Sequence, residues 1–278
     1  EASGYRLVGM RFERSDDVHT PLVEGKMVHH FDHRFATYAG ATQANLNKGT
    51  LPHVSDAQHS DPEFCSTPEY WVRSVEVAAR LGDRWSRNWL LGWRDITNAH
   101  NERTVVASLI PRVGVGHKLP LMMPVADPSL VAALYANLCS FVLDYAARQK
   151  VGGTSLTYFI LKQLPVLAPT AYTAETPWLR SATLRDWLLP RVLELTYTAW
   201  DLEPFARDVG YDGPPFRWDP ARRFLLRAEL DAAFFHLYGI SRDDTDYVLD
   251  TFPIVRKNDE KAHGEYRTKR VILEIYDE

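Results

Sequence analysis

A helical pattern covers Pro128–Lys150 and stops abruptly at a pair of glycines. Apolar residues recur at spacings of three and four through this stretch, which predicts one long amphipathic helix. Asp127 suits the N-cap position and Pro128 the first helical position. Gly152 and Gly153 end the pattern, because glycine adopts backbone conformations that other residues resist.

The segment around the glycine pair, Arg148–Pro165, has two interpretations. A glycine pair lets a partner approach the main chain closely, and the Arg, Gln, Lys and Thr residues around it suit a phosphate backbone or base edges. The alternative is an ordinary helix C-terminus that ends in glycine, with cations that complement the helix dipole. A β-rich run at Leu156–Leu161 follows.

The remaining periodicities predict an α/β (α+β) fold. Residues 5–12 predict a strand, 69–81 a strand leading into a short helix, and 88–98 with 104–110 a pair of adjacent strands, while 40–68 and 111–124 predict loops. Helices are expected near 183–208, 219–239 and 242–251, and 264–276 is compatible with helix or strand. We therefore expect a twisted, mostly antiparallel sheet packed on the 128–150 helix, with a first domain at 1–165 and a helical C-terminal region at 166–278 that braces it.

Composition and charge narrow the function classes. The chain has 278 residues, 45% hydrophobic and 24% charged, which is ordinary for a globular protein. Two distant cysteines and no apolar run long enough for a membrane span fit a cytoplasmic location. The net charge of −4 argues against simple DNA coating, but residues 84–163 carry +5 and the remainder −9. A basic middle in an acidic frame is the pattern expected of a localised anion site.

A polar connector lies between the two predicted strands at 88–98 and 104–110. It combines arginine, asparagine and threonine side chains at Arg94, Asn98, Asn101, Arg103 and Thr104. Asparagine pairs with adenine and arginine with guanine in the major groove, and threonine binds phosphate. The alternative is an internal polar network in which Arg94 pairs with Asp95 or Glu102 and Asn98 caps a turn.

Other constellations carry weaker signals. His29, His30, Asp32 and His33, with His59 and Asp61, supply residue types that bind metals, but without a recognised ligand spacing. Gly213-Pro214-Pro215-Phe216 resembles the Pro-Pro-aromatic tetrad of amino-methyltransferases, yet its first residue has no side chain to accept hydrogen bonds, so it predicts a turn. We find no serine elbow, zinc motif or phosphate-binding loop.

Several long strings resemble a known family. GWRDITNAHNERTVVASLIPRVGVG at 92–116 and ALYANLCSFVLDYAARQKVGGTSLTYFILKQLPVLAP at 133–169 are similar to the C-terminal region of bacterial adenine-N6 DNA methyltransferases. These enzymes occur in type IIG restriction–modification and related phage-defence systems. The opening PLVEGKMVHHFDHRFATY and the tail RAELDAAFFHLYGISRDDTDYVLDTFPIV with GEYRTKRVILEIYDE extend the resemblance over most of the chain.

The resemblance implies a target recognition domain, which reads DNA sequence for a methyltransferase core that precedes it. That core would carry the S-adenosylmethionine site and the catalytic tetrad, so this chain needs no cofactor and is expected to be non-catalytic. A start at Glu1 rather than Met fits a piece of a longer protein. The partners implied are double-stranded DNA, the N-terminal core, and helicase or nuclease subunits, with no membrane.

The residues expected to contact DNA combine the connector with the glycine segment. We expect base-edge contacts from Arg94, Asn98, Asn101 and Arg103, and phosphate contacts from Arg148, Lys150 and Lys162. The full candidate set is Arg94, Asn98, Asn101, Arg103, Thr104, Arg148, Gln149, Lys150, Gly152, Gly153, Thr154, Lys162 and Gln163. The alternative functions are a protein-interaction module that docks a helicase or nuclease subunit and, from the histidine cluster, a metal-dependent phosphodiesterase.

Overall fold

The fold mixes strands and helices, with a helical C-terminal part. The computed structural model describes residues 4–278, and of Arg180 it describes the backbone alone. The sheets are twisted and mostly antiparallel. The predicted α/β class is confirmed.

The strands are short. They are β1 (Arg6–Val8), β2 (Arg11–Arg14), β3 (Asp17–Val23), β4 (Trp71–Arg73), β5 (Trp89–Trp93), β6 (Ala107–Pro111), β7 (Gly114–Val115), β8 (Leu121–Met122), β9 (Glu175–Thr176) and β10 (Leu179–Thr183).

The helices lie mainly in the second half. They are α1 (Gln43–Asn47), α2 (Asp56–His59), α3 (Ser74–Leu81), α4 (Pro128–Cys139), α5 (Phe141–Arg148), α6 (Tyr158–Leu161), α7 (Leu184–Thr196), α8 (Glu203–Asp208), α9 (Pro220–Leu237), α10 (Arg242–Asp250), α11 (Pro253–His263) and α12 (Arg267–Asp277). Short 3-10 turns occur at Gly25–Met27, Gly82–Arg84, Pro169–Thr173 and Trp200–Leu202.

Two compact units alternate along the sequence. The first comprises the described part of Glu1–Asp95 with Ala107–Pro128 and Leu193–Trp218. The second comprises Ile96–Val106, Ser129–Val192 and Asp219–Glu278. The domain boundary predicted at residue 165 lies inside the second unit.

The first unit contains two sheets. One has the antiparallel order β1-β2-β3-β4, with β7 parallel to β3, and the other has the order β6-β5-β8. β5 and β6 pair antiparallel from Trp89 opposite Pro111 to Trp93 opposite Ala107, and every residue of both is buried. This burial explains their continuous apolar runs. The predicted pairing of 88–98 with 104–110 is confirmed, as is the strand leading into a helix at 69–81.

The segments predicted as loops contain short elements. Residues 40–68 include α1 and α2, each begun by a capping box, with Thr42 and Asn45 in the first and Ser55 and Gln58 in the second. Residues 111–124 include β7 and β8. The prediction missed these elements because each is too short to show a periodicity.

The long helix predicted at 128–150 is broken in the second unit. α4 ends at Cys139, Ser140 takes an extended conformation, and α5 begins at Phe141 with its axis turned by 59°. Ser140 is the N-cap of α5, and its hydroxyl accepts a bond of 3.4 Å from the Leu143 amide. No single described helix has the length and apolar composition needed to cross a membrane. The bent pair of α4 and α5, which is mostly buried, has that length and composition only if its two helices are counted together.

In the second unit, one further prediction is wrong and one ambiguous prediction is resolved. The β-rich run at Leu156–Leu161 is not a strand, because its last four residues form the single turn of α6. The ambiguous tail is helical and packs as α12 along α9. The sequence prediction also missed α11, although Pro253 occupies its first turn and Gly264 caps its end with a φ of +77°.

Candidate nucleic-acid interface

The arginine of the candidate set in the first unit has internal partners. Arg94 donates from Nε to the carbonyl oxygens of Gly25 at 2.8 Å and Val28 at 2.9 Å. Burial lowers the pKa of Arg94 to about 10. The guanidinium therefore holds the backbone turn that contains Gly25, and the expected base contact from Arg94 does not fit this geometry.

Arg103 belongs to a buried network in the second unit. Its Nε donates to the Asp144 carboxylate at 2.6 Å, and its Nη2 donates to the Cys139 carbonyl at 2.7 Å. Asp144 is fully buried and also accepts the backbone amides of Thr104 and Val105 at 2.9 and 3.0 Å. The network ties the 96–106 connector to α5, so the expected base contact from Arg103 is corrected to a structural role.

Arg148 has a similar bracing role. It donates to the carbonyl oxygens of Thr251 at 2.9 Å, Asn101 at 2.7 Å and Glu102 at 3.0 Å. Its guanidinium also lies 3.9 Å from the centroid of the Phe252 ring. A side chain with three carbonyl acceptors and an aromatic face beneath it is not free to hold a phosphate, so the expected phosphate contact from Arg148 is corrected to a structural role.

The remaining candidates divide by exposure. Thr104 is buried, with its hydroxyl on the Asn98 carbonyl at 3.2 Å, and the Asn98 side chain accepts the His100 amide at 2.8 Å. These two stabilise the connector. The exposed candidates are Asn101, Gln149, Lys150, Gly152, Gly153, Thr154, Lys162 and Gln163.

Seven of these eight residues lie on one segment, the 149–163 loop (Gln149–Gln163), which is anchored along its length. Thr154 accepts the Thr97 amide at 3.1 Å, and Ser155 forms a β-bridge with Ile96. The side chains of Val151, Leu156 and Leu164 are buried. The loop is thus a fixed surface rather than a free tether.

A buried asparagine secures the segment that follows the loop. The Asn137 carboxamide oxygen accepts the Leu167 amide at 3.0 Å and the Tyr172 hydroxyl at 3.2 Å, and its amide group donates to the Tyr238 hydroxyl at 2.9 Å. Tyr238 in turn donates to the Pro165 carbonyl at 2.7 Å. Asn137 could not be recognised from the sequence, since it lies within an apolar helical pattern.

The charge around the 149–163 loop is one-sided. Residues 145–174 contain no aspartate or glutamate, whereas the chain as a whole carries 36 among 278 residues, so about four are expected in such a stretch. Within residues 4–278, neither Lys150 nor Lys162 has a carboxylate partner. Two free ammonium groups on a segment without acidic residues suit a polyanion.

The fold itself does not require the glycine pair. Neither Gly152 nor Gly153 adopts the left-handed region, and a Cβ added at either would meet nothing within 4 Å. The cap of α5 is Gln149, in helical conformation, so the pair does not provide a left-handed helix terminus. The described backbone therefore places no demand for glycine at either position, and the pair leaves the main chain accessible.

The same surface exposes apolar side chains. Phe159 is 77% exposed, Ile96 61% and Tyr158 49%. A phenylalanine this exposed on an anchored turn gains little from folding, because apolar burial is the main source of its stabilisation. The three side chains therefore suit contact with a partner.

The histidine-rich segment does not form a metal centre in the part of the chain that the structure describes. No group of three or more ligating residues converges among residues 4–278. His59 instead contacts both Asp32 carboxylate oxygens at 3.2 Å, and His33 contacts Asp201 at 2.8 Å. These pairs surround Arg34, whose guanidinium donates to the carbonyls of nearby backbone, so they form a structural hub of the first unit.

A cavity of about 500 Å³ in the first unit is a second candidate site. Strand residues such as Leu22 and Leu90 and helix residues such as Leu81 form its mostly apolar wall. Its two arginines already have partners, Asp17 for Arg73 at 3.3 Å and Glu76 for Arg80 at 2.6 Å. It therefore offers no free charge with which to select a ligand, and the 149–163 loop is the stronger candidate.

Comparisons of the chain with protein-family models, curated proteins and solved structures find no match. The resemblance to adenine-N6 methyltransferases therefore stays an expectation from sequence. The geometry of the second unit is the remaining guide to function.

Proposed function

We propose that this chain recognises a specific sequence in double-stranded DNA, as the target recognition domain of an adenine-N6 DNA methyltransferase. The observation that carries the proposal is the exposed glycine pair, which the fold does not need, on an anchored segment that contains no acidic residue and two free lysines. Close backbone approach, cationic side chains and exposed amide side chains are the features by which proteins hold phosphates and read base edges.

The roles that we propose for individual residues differ from those expected from the sequence. Lys150 and Lys162 hold phosphates on either side of the glycine pair. Asn101 and Gln149 carry amide groups for base edges, and the Gln163 carboxamide, which donates to the Phe159 carbonyl at 3.0 Å, keeps its oxygen for a base edge. Arg103 and Arg148 hold the 96–106 connector from within, whereas Arg94 holds the Gly25 turn of the first unit. Asn101 bonds internally through one amide contact of 3.4 Å to Thr97, which is weak enough to exchange for a base.

The wider context belongs to the same proposal. The methyltransferase core would lie N-terminal to this chain, bind S-adenosylmethionine and flip the target adenine out of the stack. The parent enzyme would serve restriction–modification or phage defence in the cytoplasm, where helicase or nuclease subunits would act with it. The chain itself would supply specificity and no catalysis.

The test measures how the DNA affinity of the chain depends on salt. Fluorescence anisotropy with a labelled duplex gives the slope of log affinity against log salt. Each lost phosphate contact lowers that slope by about 0.9. We expect Lys150→Ala/Lys162→Ala to reduce the slope by about 2, since both ammonium groups hold phosphates.

The matched control is Lys257→Ala/Lys261→Ala. It removes the same charge from exposed positions on α11 and should leave the slope unchanged. A wild-type chain that fails to bind duplex at about 50 mM salt, where phosphate contacts are strong, contradicts the proposal. Equal slopes for the two double variants contradict the assignment of the surface.

A protein-interaction module remains the second candidate function. The exposed Ile96, Tyr158 and Phe159 favour it, because apolar aromatic clusters are also typical of protein interfaces. It predicts binding to a helicase or nuclease subunit that salt barely weakens, with no binding to duplex DNA. The same salt titration therefore separates the two functions.

A further inference from the structure

Phe159 is held in place without being buried. The single turn of α6 is closed by the Lys162 amide on the Tyr158 carbonyl at 3.0 Å, and the Gln163 side chain donates to the Phe159 carbonyl at 3.0 Å. Buried Leu156 and Leu164 fix the chain on both sides of the turn. The ring is thus presented on a rigid base, which lowers the entropy lost when it docks.

A lysine accompanies the ring. Lys162 is the C-cap of α6, in helical conformation and three residues after Phe159, and residues at this spacing lie on the same face of a helical turn. In DNA the bases lie beside a phosphate backbone. An aromatic ring can therefore stack on a base while a neighbouring ammonium group contacts the adjacent phosphate. The absence of acidic residues from 145–174 removes the repulsion that would oppose such contact.

We propose that Phe159 is an aromatic wedge that inserts into the DNA base stack. This inference rests on the proposed function and deepens it, because it assigns a separate task to one residue of the same surface. Lys150 and Lys162 would hold the backbone while the ring partly unstacks one base step. Insertion opens the stack next to the contacted bases, and a ring of this size replaces the lost stacking.

A wedge has a consequence that phosphate binding lacks. Inserting a side chain requires bases to unstack, and a duplex with one abasic position is already unstacked there. The wild-type chain should therefore bind a duplex with a central abasic site more tightly than the fully paired duplex, by about fivefold or more. This comparison needs no knowledge of the target sequence.

The experiment measures both affinities by fluorescence anisotropy for the wild type and three variants. Phe159→Ala should bind the two duplexes equally, and Phe159→Trp should keep the preference, because it retains a flat ring. Val166→Ala is the matched control, since it trims another exposed apolar residue of the same segment, and it should also keep the preference. Thermal unfolding should change little in Phe159→Ala, because the ring is 77% exposed.

The failures of the two proposals are distinguishable. Wild-type chain that binds paired DNA with salt-dependent affinity but shows no abasic preference overturns the wedge and leaves DNA recognition standing. A preference that survives in Phe159→Ala also overturns the wedge. Loss of a protein partner in Phe159→Ala, without duplex binding by the wild type, overturns both in favour of a protein interface.

Discussion

Asp231 is a buried acid of α9 whose charge the fold disfavours. Its carboxylate accepts the Phe141 amide at 2.8 Å, where α5 begins. Burial raises the pKa of Asp231 from about 3.8 to about 6, although Arg103 acts in the opposite direction. The folded chain therefore holds this proton more tightly than the unfolded chain does, so the associated stability is complete below pH 3.8 and is lost as the pH rises through about 6.

We expect Asp231→Asn to be more stable than the wild type at pH 7.5. Asparagine keeps an oxygen for the Phe141 amide and removes the buried charge, so the gain is up to about 3 kcal/mol. At pH 4 the two proteins should have nearly equal stability. Urea unfolding at both values of pH measures the difference, and a variant less stable than the wild type at pH 7.5 would show that the charge is favourably paired.

At the scale of elements, the Asn137 side chain joins three parts of the second unit, which are α4, the connector that follows α6, and the end of α9. Asn137 satisfies the Leu167 amide and the Tyr172 hydroxyl, and donates to Tyr238. A buried donor left without an acceptor loses its hydration without compensation. The placement of the 149–163 loop thus depends in part on a residue that never reaches the surface.

Replacing the Asn137 side chain tests how much it stabilises the fold. Asn137→Ala should lower the free energy of unfolding by about 2–4 kcal/mol, because it leaves the buried Tyr172 hydroxyl and the part-buried Leu167 amide unpaired and opens a small cavity. Asn101→Ala is the matched control, and it should change stability by less than about 0.5 kcal/mol, since Asn101 is exposed. Chemical denaturation measures both, and a loss of stability in Asn101→Ala would assign that residue to the scaffold rather than to DNA.

The elements also show where sequence prediction succeeds and fails. The apolar runs of β5 and β6 and the helical periodicity near 219–239 and 242–251 are local signals, and they predicted the right elements. Helical periodicity passes through Ser140 without interruption, so the break between α4 and α5 could not be predicted from spacing. The residues Thr157–Ile160 favour a strand by propensity, yet they lie in the helical turn of α6, which is closed by backbone hydrogen bonds. Here the tertiary context overrides propensity.

At the scale of the whole molecule, three arginines that the sequence assigned to DNA bind internally instead. Arg103 finds its carboxylate 41 positions away in Asp144, and Arg148 finds a carbonyl 103 positions away in Thr251. Such pairings depend on the folded chain and leave no local pattern. The glycine pair was recognisable from sequence, but its independence from the fold needed the backbone angles and the open space around it.

The central claim is that Gly152 and Gly153 serve a DNA partner and not the fold. The most direct measurement compares the melting temperature and the duplex affinity of Gly152→Ala/Gly153→Ala with those of Gly264→Ala. The Gly264 backbone is left-handed, with a φ of +77°, so its replacement should destabilise the chain by about 1 kcal/mol and leave DNA affinity unchanged.

For the glycine pair we expect the reverse, with stability kept and duplex affinity reduced. The double variant should melt at the wild-type temperature or slightly above it, because alanine restricts the unfolded chain and fits the open space. Its duplex affinity should fall by about fivefold or more, equivalent to about 1 kcal/mol, because two methyl groups obstruct the backbone approach. A double variant that melts early, or that binds DNA as tightly as the wild type, would contradict the claim.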